Sequence, residues 1–341
     1  MPDTTHAIEN AITYISTQHT LSYPDAVHVM GSYSTAQFVD IVARHLGMPI
    51  EDVRKFSRFR CEGRFFHLAM ITEALQDAVA AGHRSCEPLV EENSDRLVAG
   101  QDGISWRYFP GFEPLPYDAD SLAQIARVLL RSRRAHPARL TDAFELAAAN
   151  AWEDGAISTF LTEDPDRRAL VNKVWGRGRD DTGRDPEVVA NLLYTALLYE
   201  RQIGPSALTP LISRATNWLA EQQQAMGFWR ASWYVGTCYS TYAAVRHLSA
   251  VGGYEETIER AVHFLLQAEA PDPLNRALAM LAIAAGGGRT SDNDVDLLLR
   301  SQFPDGSWEA IPLLDNHARI WGSRTVTTAL CLKALLTTAA W

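Results

Sequence analysis

"QFPDGSW", residues 302–308, runs into a stretch of small and apolar residues, "SRTVTTALCLKALL", 323–336. Two upstream segments share its layout: "QDGISW", 101–106, and "QAMGFW", 224–229. Each ends in tryptophan and carries a glycine, Gly103, Gly227 or Gly306, able to take the backbone angles a tight turn needs. The glutamine amide can bond backbone groups left exposed at the turn, and the indole can cover it. This is scaffold chemistry. Three copies of one turn predict a repeated supersecondary unit.

Each turn joins two helices of different character. The first member carries charge on one face, as in "LISRATNWLAEQQQ", 211–224. The second is apolar nearly all round, as in "PEVVANLLYTALLY", 186–199, "STYAAVRHLSAV", 240–251, and "DPLNRALAMLAIAA", 272–285. A helix without a polar face is enclosed on all sides; one with a polar stripe faces water. The pattern predicts six pairs: 5–17 with 34–46, 65–82 with 119–133, 139–150 with 187–200, 207–224 with 236–249, 255–268 with 275–285, and 292–301 with 323–337. Insertions at about 83–117 and 151–186 would decorate or cap one rim of a single domain, 1–341. The pairing fits an all-α (α/α)6 toroid, six inner helices inside six outer ones, and equally an open helical solenoid.

Composition narrows the function classes. The chain has 341 residues, a formal net charge of −10 and no basic stripe, so nucleic acid is not an expected partner. No apolar run is long enough for a membrane span; "ALAMLAIAA", 277–285, has the length of a buried helix. Cys61, Cys86, Cys238 and Cys331 have no CxxC spacing and read as reduced thiols of a cytoplasmic chain.

The turns resemble the QW motif of the squalene-hopene cyclase and class II terpene cyclase superfamily. Gln302, Asp305, Gly306, Ser307 and Trp308, followed by an inner helix containing "TTAL", carry that resemblance; the copies ending at Trp106 and Trp229 are degenerate. The resemblance implies the closed toroid. It also implies a reaction, because class II cyclases carry an Asp-x-Asp-Asp-Thr-Ala motif whose middle Asp protonates an alkene or epoxide. The matching run is Asp118-Ala119-Asp120-Ser121-Leu122-Ala123, with Ser121 and Leu122 departing from it. Asp120 takes the place of the acid and Asp118 that of its partner. Classical members resemble two stacked toroids with the site between them. This chain has the length of one, so a homo-oligomer or a partner toroid is a further expectation.

The chemistry sets conditions. An isolated aspartate titrates near ~3.9 and is ionised at pH 7. Burial and a neighbouring like charge raise that value. Both aspartates equally read as caps of the helix that follows. A carbocation needs a dry pocket, with aromatic faces each worth about 0.5–2 kcal/mol. Candidates near the inner-helix starts are Tyr117, Trp175, Trp233, Tyr234, Tyr239, Tyr242 and Trp321. His317, Arg319 and Arg324 form a polar cluster before the last inner helix, which could orient the acid or hold an anionic group and reads equally as a solvated connecting loop. Arg177, Arg179 and Arg184 could meet a diphosphate, with Asp180 and Asp181 holding Mg²⁺ against it. Mg²⁺ is expected only if the substrate carries a diphosphate. Protein prenyltransferase beta subunits share the toroid, but Gly236 stands where their zinc-binding Asp would precede Cys238.

The expected activity is therefore protonation-initiated cyclisation of a hydrophobic isoprenoid. Two alternatives stand beside it. One is a non-catalytic toroid that binds a hydrophobic small molecule or a partner cyclase. The other is a natural-product cyclase or isomerase acting on a non-terpene substrate.

Overall fold

The computed structural model describes residues 3–30, 51, 61–112, 115–175, 182–315 and 320–339. Its helices are α1 (Thr4–Thr20), α2 (Phe65–Ala80), α3 (Glu87–Ala99), α4 (Ala119–Arg131), α5 (Pro137–Ala149), α6 (Pro165–Trp175), α7 (Pro186–Gln202), α8 (Ile212–Glu221), α9 (Cys238–Val251), α10 (Glu255–Gln267), α11 (Pro273–Ala285), α12 (Asp292–Arg300) and α13 (Arg324–Ala339). Helices α2, α4, α7, α9, α11 and α13 pack each against the next, and α13 returns to α2. That closes a ring. Helices α1, α3, α5, α8, α10 and α12 form an outer layer against it. The fold is an (α/α)6 toroid.

Inner and outer helices differ as patterning requires. Most of α2 and nearly all of α4 is buried, whereas α10 and α12 bury only a few residues each. The first two pairings differ from the expectation. The segment expected at 65–82 as an outer helix is the inner helix α2. The outer partner of α4 is α3, which lies inside the stretch read as a rim insertion. The polar residues of α2 misled the reading: Glu73 and Gln76 are buried toward other inner helices, not solvated. The helix expected at 34–46 lies outside the described residues. The second insertion holds α6 and a short strand.

Ring closure has identifiable contacts. Gln302 Nε2 donates to the carbonyls of Ala7 in α1, at 2.9 Å, and Gly306, at 3.0 Å. Asp25, just after α1, accepts from Thr325 N (2.9 Å), Thr325 Oγ1 (2.6 Å) and Ser323 Oγ (2.9 Å) at the start of α13. The two ends of the described chain are thus joined by polar bonds as well as by the packing of α1 on α13.

The three tryptophan turns are built alike. Trp106, Trp229 and Trp308 are fully buried, and each indole N–H donates to a carbonyl near the end of the preceding outer helix: Leu97 (2.8 Å), Leu219 (2.7 Å) and Leu298 (2.9 Å). The last carbonyls of a helix have no α-helical partner within it, and the indole supplies a donor to one of them. The glutamine of the second copy is Gln223, not Gln224. Its amide reaches the carbonyl of Gly227, four residues on, as Gln302 reaches Gly306.

Short antiparallel ribbons lead into three inner helices: β1 (His28–Met30) with β2 (Cys61–Gly63) before α2, β3 (Tyr117–Asp118) with β4 (Phe160–Leu161) before α4, and β5 (Pro312–Asp315) with β6 (Ile320–Gly322) before α13. They frame one rim, where the inner-helix starts converge.

Candidate active site

Asp118 and Asp120 have different jobs despite being two residues apart. Asp118 has extended backbone (φ −126°, ψ 143°) and caps α4, its Oδ1 accepting the N–H of Ser121 at 2.6 Å. Its Oδ2 accepts the N–H of Tyr108 at 3.0 Å. Asp120 lies in the first turn and caps nothing. Its Oδ2 accepts the phenol O–H of Tyr234 at 2.6 Å, and its Oδ1 accepts Asn191 Nδ2 at 2.8 Å.

Both carboxyls lie on the wall of one cavity and are only 6% and 7% exposed. The rest of the wall is His28, Phe66, Tyr108, Phe109, Phe112, Leu115, Thr159, Phe160, Val188, Trp233, Leu314 and Asp315. Six of these are carbocyclic or indole aromatics. Water is a poor competitor in such a space, and an ionised carboxylate is disfavoured there. Burial pushes Asp118 up to about 7, aided by the charge of Asp120 and opposed by the N–H groups of Ser121 and Tyr108. Burial pushes Asp120 up to about 6, opposed by Tyr234, Asn191 and the charge of Arg127. Each acid therefore exchanges its proton close to neutrality.

Beneath the acids the toroid axis is filled by charge. Arg127 forks onto Glu73 (Nε–Oε1 3.0 Å, Nη2–Oε2 2.9 Å), which also holds Lys333 (3.0 Å) and Arg246 (3.3 Å). Burial alone would raise the Glu73 carboxyl, but Arg127, Lys333 and Arg246 hold it well below the usual range.

A second pair of acids sits at the start of the next inner helix, α7. Asp185 Oδ2 accepts from Thr159 Oγ1 (2.6 Å) and Trp233 Nε1 (2.7 Å), both residues of the cavity wall. Glu187 Oε1 accepts the N–H groups of Ser232 (2.6 Å) and Trp233 (2.9 Å). Burial, with the charge of Asp185, pushes Glu187 up to about 8.

The expected lining residues are scattered. Trp233 is on the cavity wall. Tyr234 and Tyr239 lie behind Asp120, ring on ring at 3.7 Å and 8°. Tyr242 sits deeper, beside Arg246. Tyr117 lies under the Arg107 guanidinium, and Trp321 stacks on His67 at 3.8 Å. Arg324 points away from the cavity, to Asp305 (3.3 Å) and the Phe303 ring. Arg184 pairs with Asp154. Trp175 ends α6. His317, Arg319, Arg177, Arg179, Asp180 and Asp181 lie outside the described residues. The wall residues Phe66, Tyr108, Phe109, Phe112 and Phe160, and the Asp120 partner Asn191, were not singled out. "RYFPGFEPLPYDAD", 107–120, carried a signal for three of them: aromatics at close spacing directly before the acids.

Among the described residues no helix is long and apolar enough to cross a membrane, and no group of three or more His, Cys, Asp or Glu side chains is placed to hold a metal ion.

No protein-family model and no curated protein matches the sequence. Solved structures do. A protein from Actinoplanes aligns over 99% of this chain and 100% of its own, with 21% identity and a TM-score of 0.70. The type II terpene cyclase MstE from Scytonema aligns over 100% of this chain and 99% of its own, with 16% identity and a TM-score of 0.70. The ent-copalyl diphosphate synthase from Streptomyces platensis aligns over 85% of this chain at 19% identity and a TM-score of 0.57, and the chain spans only 55% of that enzyme. The fold is shared with type II terpene cyclases.

Proposed function

We propose that this protein is a class II-type cyclase that protonates a hydrophobic isoprenoid and lets the resulting cation close rings inside the cavity. Asp120 is the acid. Its O–H adds a proton to one carbon of a terminal alkene, or to an epoxide oxygen, and the positive charge appears on the neighbouring carbon. The electrons of the next double bond then form the ring bond. The carboxylate left on Asp120 is held by the Tyr234 O–H and the Asn191 N–H, groups already aimed at it. Asp118 caps α4 and keeps the loop carrying Tyr108 against the acid; burial and the charge of Asp185 disfavour ionisation of Asp120. Phe66, Tyr108, Phe109, Phe112, Phe160 and Trp233 offer π-faces to the cation at about 0.5–2 kcal/mol each. The reaction ends when a proton is lost or water adds.

The observation that carries this reading is the setting of Asp120: a buried carboxyl on an aromatic-walled cavity, with a donor on each oxygen. MstE, matched over 97% of its length, holds geranylgeranyl dihydroxybenzoate as substrate in one structure and merosterolic acid A as product in another. That precedent supports a chain of one-toroid length acting on an isoprenoid, and a head group other than diphosphate. Mg²⁺ enters only with a diphosphate substrate, as a charge anchor, and the Asp120 step does not need it.

The test is incubation of the purified protein with geranylgeranyl dihydroxybenzoate, farnesyl and geranylgeranyl diphosphates and epoxy-isoprenoids, with product analysis by mass spectrometry. Cyclic products are expected from at least one. Asp120→Asn should lose about 10²–10⁴-fold in turnover, the usual weight of a general acid, and Asp118→Asn less. Tight binding without turnover would favour the non-catalytic reading.

A further inference from the structure

We propose that Glu73, with the two arginines it anchors, is a positioning assembly that fixes the direction of the hydrogen bonds reaching Asp120. The proposal rests on the reading of Asp120 as the acid. A side-chain amide can present either its oxygen or its NH₂ to a neighbour, and only its partners decide which. Arg246 Nη2 donates to Asn191 Oδ1 at 2.8 Å. A guanidinium has no acceptor, so the amide oxygen must face it. Asn191 Nδ2 is thereby turned to Asp120 Oδ1 (2.8 Å) and the Tyr239 phenol oxygen (3.2 Å).

A parallel line does the same from the other side. Arg127 Nη2 donates to Gln124 Oε1, which turns Gln124 Nε2 onto the same Tyr239 oxygen. Tyr239 supports the ring of Tyr234, the second donor to Asp120. Both arginines end on Glu73. Arg246 is also held over the rings of Tyr194 and Tyr242, at 4.5 and 4.9 Å.

The consequence is chemical. Asn191 can give Asp120 a proton-side contact but cannot accept one, so it favours the carboxylate over the acid. Without Arg246 the amide can turn its oxygen to Asp120 and accept the acid's own O–H. That bond would hold the proton back and move the titration of Asp120 upward. Other ionisable groups near Asp120 are Asp118 on the same helix start, Tyr108 before it, Asp185 at the start of α7, Tyr234, Tyr239 and Arg127. All remain in the variants below.

The experiment follows the protonated-carboxyl C=O stretch by infrared difference spectroscopy across pH, assigning Asp120 by the band lost in Asp120→Asn. Arg246→Met should raise the Asp120 titration by about one unit. Asn191→Leu should raise it similarly. The double variant should go no further than Asn191→Leu alone. An unmoved titration in Arg246→Met overturns the proposal. So does a double variant showing the full sum, because Arg246 would then act through space. If Arg246→Met does not fold, Arg246→Lys carries the test: it keeps the buried charge but has no fork to span Glu73 and Asn191. The titration must still rise, and if it does not the proposal fails. The measurement needs no substrate. A lack of cyclic products would count against the proposed reaction and leave this result legible.

Discussion

Tyr234 donates its phenol O–H to Asp120 across 2.6 Å while its ring lies flat on Tyr239, 3.7 Å away. Tyr234→Phe keeps the stacked ring and removes only the donor. If Asp120 is the acid, the carboxylate formed on proton transfer loses one of its two hydrogen bonds. Removal of one such donor costs about 10²–10³ in kcat elsewhere, and a loss toward the lower end is expected here because Asn191 remains. KM should change little. Product formation against time for the two proteins checks it; unchanged kcat would deny Tyr234 a part in the chemistry.

If Asp120 is the acid, its proton-bearing form is the active one, and the rate should fall as pH rises through about 6. In Tyr234→Phe the falling limb should move to higher pH, since a donor to the charged form has gone. A pH–rate profile of both proteins decides it, and a flat wild-type profile with intact folding would leave Asp120 without an acid's role.

The ring of hairpins was legible in the sequence because it rests on periodicity and on a turn that repeats. The place of α2 was not. Glu73, Gln76 and Asp77 look like a solvated face, and only the fold brings Arg127, Arg246 and Lys333 onto them from other helices. The two aspartates on the cavity wall stand out in the sequence by spacing and resemblance. Tyr234 stands out only as a lining aromatic, and neither its bond to Asp120 nor that of Asn191 is legible, because the two lie 114 and 71 residues away. Arg324 shows the converse: adjacency to a helix start suggested the cavity, yet Asp305 of the tryptophan turn captures it.

Glu187 should make stability depend on pH. Burial holds its proton up to about 8, against ~4.3 for a free glutamate. The native state therefore binds more protons than the unfolded chain between those values, and stability falls as pH rises through that window. Asp118 and Asp120 add to the same fall. Glu187→Gln keeps an oxygen for the N–H groups of Ser232 and Trp233 and removes the titration. Its melting temperature should decline less steeply than wild type from pH 5 to 8. Parallel curves in calorimetry would contradict the assignment.

Arg127 is 1% exposed and forks onto Glu73. Arg127→Met should destabilise by about 3–5 kcal/mol, the usual cost of leaving a buried partner charge short of its counter-ion. Glu73 still has Lys333 and Arg246, which favours the lower end. A Glu73→Met/Arg127→Met double variant should lose less than the sum of the single losses. Denaturant midpoints at constant slope measure this; strict additivity would mean that the pair does not act as a unit.

Gly306 tests what holds the ring shut. It has φ +87°, and a Cβ there would lie 2.2 Å from the backbone oxygen of Asn10 in α1. Gly287, with φ +77°, has open space around it. Alanine at either position meets the left-handed strain of roughly 1–2 kcal/mol. Gly287→Ala should stop there. Gly306→Ala must also push α1 away from the turn, stretching the Gln302 bond to the Ala7 carbonyl. Backbone cannot give way as a side-chain tip can, so a loss greater than in Gly287→Ala by at least ~2 kcal/mol is expected, the scale of overpacking a filled site. Amide hydrogen exchange should locate it: α1 amides should exchange faster in Gly306→Ala, while those of α7 and α9 on the far side of the ring stay protected. Equal losses in the two variants, with α1 unchanged, would mean that Asp25 and the packing of α1 on α13 close the toroid without the turn.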